Sequence, residues 1–174
     1  MDPLAHEFLE RLNAAVKRKV TVVLIGGNAL NILGFKGATA DVDIVCRSSE
    51  PEVAKFCQEY FRRYGIKVEF FVDGLFSNIR VKDYLQKAYK FDQDEFPNIQ
   101  LKIFNLYDIA LTKINRLLQK DLDDLTRVLE SGAITESELD ARFKFLLKNT
   151  IGDKEHFQQQ YQKFKTLFKD LLRQ

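Results

Sequence analysis

Residues 20–25, VTVVLI, constrain this chain more than any other stretch. The run is β-branched and apolar, with no polar alternation beyond Thr21. Such a pattern predicts a strand covered on both faces. A glycine pair, Gly26-Gly27, ends it. "NALNIL" then reads as a short helix stopped by Gly34, and residues 35–40 as a loop. A second apolar run, DVDIVC (41–46), follows as the next strand. A chain that covers a strand on two sides and alternates it with helices belongs to the α/β (α+β) class.

The same alternation continues downstream. Pro51 opens a helix to about Tyr64, which Gly65 closes. "IKVEFFV" (66–72) predicts a third strand, residues 73–81 a turn and a short strand near Ile79, and 82–90 a helix. After the loop "DQDEFPN", "IQLKIF" (99–104) alternates like a strand with one wet face. From Asn105 the pattern is helical only: Asn105 to Gln119, Asp121 to Ser131, a helix capped by "TESE" (135–138), and a last helix after Gly152. At the other end, Asp2-Pro3 is a helix start, with Leu4, Phe8, Leu12 and Val16 on one face. The domain expectation is an α/β core over 1–104 and a helical part over 105–174 packed on it.

Composition excludes several classes. With 45% hydrophobic residues among 174, the chain can bury a sizeable core, and its 30% charged fraction argues against a membrane protein. Nothing approaches the roughly 18 consecutive apolar residues of a membrane span. The start "MDPLAHEFLE" has no secretory pattern. Cys46 and Cys57 read as buried, reduced thiols, which points to a cytoplasmic protein. From Lys144 onward seven basic residues, Arg173 the last, face three acids. That run reads first as the wet side of a helix and second as a surface for RNA or an acidic partner. Phe157, Tyr161, Phe164, Phe168 and Leu171 form a stripe at helical spacing, read as a docking seam or a homodimer contact.

Asp41 and Asp43 carry the chemistry. On a strand, residues i and i+2 share a face, which puts the two carboxylates roughly 7 Å apart. Like charges so close need an offset, and oxygen-only ligands suit Mg²⁺ or Mn²⁺. Two solvated surface acids are the plainer alternative. Upstream, a buried strand, a glycine pair and a helix start offer backbone N–H groups to an anion, with glycine allowing close approach of a phosphate. A phosphate cradle and a cation site on one stretch suit a metal-bound nucleoside triphosphate; a mere chain turn at the glycines is the competing reading.

Gly26-Gly27, the helix, Gly34 and Thr39-Ala40-Asp41-Val42-Asp43 resemble the signature of the nucleotidyltransferase superfamily, the polymerase-β-like fold that includes minimal and toxin–antitoxin-associated members. "LYDIALTKINRLLQKDLDDLTRVLESGAI" (106–134) is similar to the helical stretch of an uncharacterised branch of that superfamily. Asn28 stands where many relatives have Ser, and Gly37 where many have Arg. The resemblance implies a mixed sheet flanked by helices and a nucleotidyltransferase that uses Mg²⁺ or Mn²⁺. It implies Asp41, Asp43 and Glu69 as catalytic metal ligands, with Asp73 the fallback for Glu69. Gly26, Gly27, Asn28, Lys36, Thr39 and Lys113 become the expected nucleotide contacts; each lysine is alternatively an ordinary solvated side chain. Asp121 and Asp124, neighbours on a helix, are either accessory to the site or salt-bridge partners of Lys113, Lys120 or Arg127. The implied reaction moves a nucleoside monophosphate from a triphosphate to a protein or RNA hydroxyl, with a toxin–antitoxin partner. The alternatives are a catalytically lapsed binding protein of the same fold and a nucleic-acid-binding module using the basic C-terminal helices.

Overall fold

A computed structural model of the chain describes residues 1–76, 78–91 and 94–172. Arg173, counted in the basic run, and the Asp92-Gln93 part of the expected loop lie outside the described residues. The elements run α1 (Pro3–Ala15), β1 (Val20–Leu24), α2 (Gly26–Ile32), β2 (Val42–Cys46), α3 (Pro51–Tyr64) and β3 (Val68–Val72). Next come β4 (Leu75–Phe76), β5 (Ile79–Arg80), α4 (Tyr84–Lys87), β6 (Tyr89–Lys90) and β7 (Ile99–Ile103). The helices α5 (Leu106–Arg116), α6 (Gln119–Glu130), α7 (Glu136–Asn149) and α8 (Lys154–Leu167) follow. Two compact units divide the chain: Met1–Gly74 with Asp83–Asn105, and Leu75–Lys82 with Leu106–Gln174.

The first unit is built on a five-stranded sheet ordered β3-β2-β1-β7-β6. β1 pairs antiparallel with β2 and parallel with β7, and β2 pairs parallel with β3, so the sheet is mixed. Every residue of β1 is buried, as its unbroken apolar run requires. α1 and α3 cover the sheet through an aromatic cluster in which Phe8 meets Phe56 and Tyr60 edge-on. Phe8 is fully buried, which contributes about 1.5–3 kcal/mol through removal of its ring from water. Cys46 and Cys57 are buried free thiols. Burial pushes the Cys46 thiol up to about 11 and the Cys57 thiol up to about 12, so neither offers a thiolate near neutral pH.

Several boundaries differ from expectation, two of them for a clear physical reason. The helix expected over 82–90 is a single turn, α4. Tyr89 and Lys90 are taken by edge-strand pairing with Ile103 and Lys102 instead, a long-range contact that local periodicity does not contain. α5 ends at Arg116 rather than Gln119, because Leu117 adopts a left-handed φ of 49°, which a helix does not continue through.

In the second unit β4 and β5 form a two-stranded antiparallel ladder, and α5 to α8 supply the rest. The aromatic stripe of α8 is spent inside this unit. Phe143 of α7 stacks on Tyr161 with ring centroids 3.8 Å apart and meets Phe157 at 4.9 Å. Among the described residues no helix is long and apolar enough to cross a membrane.

Candidate active site

The first unit brings the glycine pair and the acidic motif together because β1 and β2 are antiparallel neighbours: the end of one lies beside the start of the other. The Ile25 N–H donates to the Asp43 carbonyl at 3.0 Å. The turn from β1 into α2 puts Gly26 at φ +55°, a left-handed conformation that favours glycine. A Cβ on Gly26 would press on the Asp43 Oδ2 and stand 3.2 Å from its Cγ. A Cβ on Gly27 would meet Thr39 Cγ2 at 2.8 Å and the Lys36 stem at 3.6 Å. Both glycines are therefore demanded by close packing of the site's own side chains. The Asp43 carboxylate and the Thr39 methyl thus occupy space that the sequence pattern assigns to a phosphate.

Asn28 departs from the expected phosphate contact in a similar way. It is 1% exposed. Its Nδ2 donates to Thr39 Oγ1 at 2.8 Å and to the Asp41 carbonyl at 3.3 Å, and its Oδ1 accepts from the Asp43 N–H at 2.8 Å. The side-chain amide is spent on holding the Thr39–Asp43 segment in place. Thr39 adds a bond from its hydroxyl to the Asp41 carbonyl at 3.1 Å. Asp2 pins the same loop from α1: one carboxylate oxygen caps the helix at Leu4 N–H, 2.9 Å, and the other accepts from the Thr39 N–H at 3.1 Å. Nothing local in the sequence signals this second role of a capping aspartate.

Asp41 lies one residue before β2 rather than within it, and both it and Asp43 are half-buried. The parallel pairing of β2 with β3 sets Asp43 opposite Glu69 in register. Neighbouring strands lie about 4.8 Å apart, so the third acid stands at the same end of the sheet's strands. Glu69 accepts from the Lys67 ammonium, a partner that sequence reasoning missed although the two residues sit two apart on one strand face. The hydrogen bond to Glu69 raises the Lys67 pKa first, the Glu69 charge next, and Asp41 and Asp43 add to it. In this arrangement Asp41, Asp43 and Glu69 do not each bring an oxygen within 4.8 Å of the others; among the described residues only His6, Glu10 and Glu95, partly exposed at the surface, form such a set.

Other expected residues lie elsewhere. Asp73 is no substitute for Glu69. Its N–H donates to the Cys46 carbonyl and its Oδ1 accepts from the Ser48 N–H. Both contacts place it at the far end of β2 and β3, four residues and roughly 13 Å along the strand from Glu69. Lys113, Asp121 and Asp124 are buried together in the second unit. The Lys113 Nζ donates to Asp121 at 3.2 Å and to Asp124 at 2.7 Å, and Arg116 donates to Asp121 at 2.8 Å. This is the salt-bridge alternative for the three residues, and it spends the ammonium that the resemblance assigns to a phosphate.

The donor chemistry fits a hard divalent cation. Asp41 and Asp43 are carboxylates at one strand entrance, half-shielded from water and braced by part-buried hydrogen bonds, with Glu69 in register beside them.

No curated protein matches the chain. The crystal structure of an antigenic nucleotidyltransferase-like protein from Paracoccidioides brasiliensis is similar in fold, with a TM-score of 0.56 over 98% of this chain and 90% of that one, at 13% sequence identity. A family model described as a nucleotidyltransferase of unknown function (DUF6036) matches residues 5–172, and with the mixed sheet and the acid pair at the start of β2 in view, this chain belongs to that nucleotidyltransferase family.

Proposed function

We propose that this protein is a metal-dependent nucleotidyltransferase that moves a nucleoside monophosphate from a nucleoside triphosphate to a hydroxyl of protein or RNA. One observation carries the reading: Asp43, packed against Gly26, stands in register with Glu69 and two residues after Asp41. Asp41 and Asp43 would hold Mg²⁺ or Mn²⁺, with Glu69 as the third ligand. The cation, when bound, supplies polarisation of the α-phosphate and neutralises charge on the leaving group. The chain's own residues do the positioning. Gly26 leaves room for the Asp43 carboxylate. Asn28, Thr39 and Asp2 hold the loop that carries Asp41. The Lys36 stem packs beside Gly27, which keeps a positive charge near the turn where a triphosphate would lie. A cytoplasmic setting and a toxin–antitoxin pairing enter this proposal through the cysteines and the sequence resemblance.

A second reading has one observation in its favour. Glu69 is tied to Lys67, and the three acids are not drawn together, as in a fold retained for binding after its chemistry lapsed. One experiment separates the two. The protein is incubated with each α-labelled nucleoside triphosphate, Mg²⁺ or Mn²⁺, and lysate or RNA. Label transfer that Asp41→Asn and Asp43→Asn abolish, with the fold intact by circular dichroism, is the expected result. No transfer from any of the four nucleotides, with triphosphate binding retained, overturns the catalytic reading and leaves the binding one.

A further inference from the structure

We propose that Lys67 is a built-in counter-cation of the acidic site, displaced from Glu69 when a divalent cation binds. The inference rests on the reading of Asp41, Asp43 and Glu69 as the metal-binding set. It makes Lys67 the residue that sets how tightly this protein takes its metal.

The placement comes from the backbone. Lys67 immediately precedes β3, and its carbonyl accepts from the Val42 N–H at 3.0 Å. Its main chain is therefore bonded to the residue that lies between Asp41 and Asp43. From that position just ahead of β3, its ammonium bonds Glu69 Oε1.

Packing does not hold it there. The Lys67 side chain is 61% exposed. Immobilising a long exposed lysine costs side-chain entropy, and an isolated surface pair seldom repays it. Here the pair sits beside two more carboxylates: Asp43 stands opposite Glu69 in register, and the Lys67 carbonyl is bonded to Val42, between Asp41 and Asp43.

A metal ion at the same oxygens has two consequences. Coordination draws negative charge from the Glu69 carboxylate, so its bond to the Lys67 ammonium weakens. A divalent ion also meets a like charge a few ångströms away. The energy of that repulsion, screened by water, corresponds to about a tenfold change in affinity. Without the metal, Lys67 offsets charge at Glu69, and it swings into solvent on loading.

The test is a titration with Mn²⁺ alone, reading free Mn²⁺ by electron paramagnetic resonance, on the full chain with no nucleotide. Five proteins are compared: the unchanged chain, Lys67→Met, Lys67→Gln, Asp43→Asn and Lys55→Met. Lys55 pairs with Glu59 within α3, so its substitution removes the same charge elsewhere. Both Lys67 variants are expected to bind Mn²⁺ about tenfold more tightly at low salt, with the gain shrinking as NaCl rises. Lys55→Met is expected to match the unchanged chain within about twofold. In EDTA the Lys67 variants are expected to melt at lower temperature and to recover on adding Mn²⁺. Unchanged or weaker Mn²⁺ binding in the Lys67 variants, with binding lost in Asp43→Asn, overturns this inference and leaves the metal site standing. Equal tightening in Lys55→Met overturns it as a net-charge effect. Binding by Asp43→Asn equal to the unchanged chain overturns the inference and the metal-site reading together.

Discussion

The carboxylate of Asp43 fills the space in which residue 26 would carry a side chain. Gly26 lies at the turn out of β1 with φ +55°, and a Cβ there would stand 3.2 Å from the Asp43 Cγ. Two glycine properties are used at one position. The absent Cβ admits the left-handed turn and also admits the acid.

Gly26→Ala therefore meets two penalties. The left-handed backbone costs an L-residue about 1 kcal/mol, and overpacking against Asp43 adds about 1–3 kcal/mol. Urea denaturation is expected to show a loss of about 2–4 kcal/mol. Mn²⁺ binding is expected to fall by more than that loss of stability implies, because relief of the clash moves the Asp43 carboxylate. An alanine variant with full stability and full Mn²⁺ affinity contradicts the packing described.

Asn28 holds the acid loop with three hydrogen bonds, and Asn28→Ala removes all of them and leaves the Asp43 N–H without its acceptor. Each bond contributes about 0.5–1.5 kcal/mol net, so a loss of about 2–4 kcal/mol in chemical denaturation is expected. Asn28→Ser keeps a hydroxyl but is too short to span the same partners. It is expected to recover only a small part. A nucleotide-affinity loss with no stability loss would instead assign Asn28 to the triphosphate.

Lys113→Met leaves Asp121 and Asp124 buried beside each other with their ammonium gone. Removing one partner of a buried ionic cluster costs about 3–5 kcal/mol. The expected readout is a lowered urea midpoint. Adding Asp124→Leu to Lys113→Met removes one of the two buried carboxylates and is expected to restore part of the loss. If Lys113→Met instead weakens triphosphate binding at unchanged stability, the lysine serves the nucleotide.

Much of the first unit was readable in the residues. VTVVLI announced a strand covered on both faces, and β1 is buried throughout. Gly65, named as a left-handed helix end, has φ 68°. "TESE" supplied the α7 cap, with the Glu138 N–H donating to Thr135. These are local effects, fixed by backbone sterics and by side chains three or four residues apart. Segments whose partners are distant were harder to read. Tyr89 and Lys90 look helical by pattern and are strand by pairing. Leu117 carries no signal of its left-handed φ.

By itself the sequence determined that two aspartates and a glycine pair would sit at the ends of buried strands, because apolar runs and glycine sterics act over a few residues. Only the tertiary structure decided what each polar group touches. Parallel register set Glu69 beside Asp43, the antiparallel turn gave Asn28 to the acid loop, and burial in the second unit gave Lys113 to Asp121 and Asp124. The physical reason is that a hydrogen bond or an ion pair forms with whatever the folded chain brings within about 3 Å, and separation along the sequence carries no information about that distance.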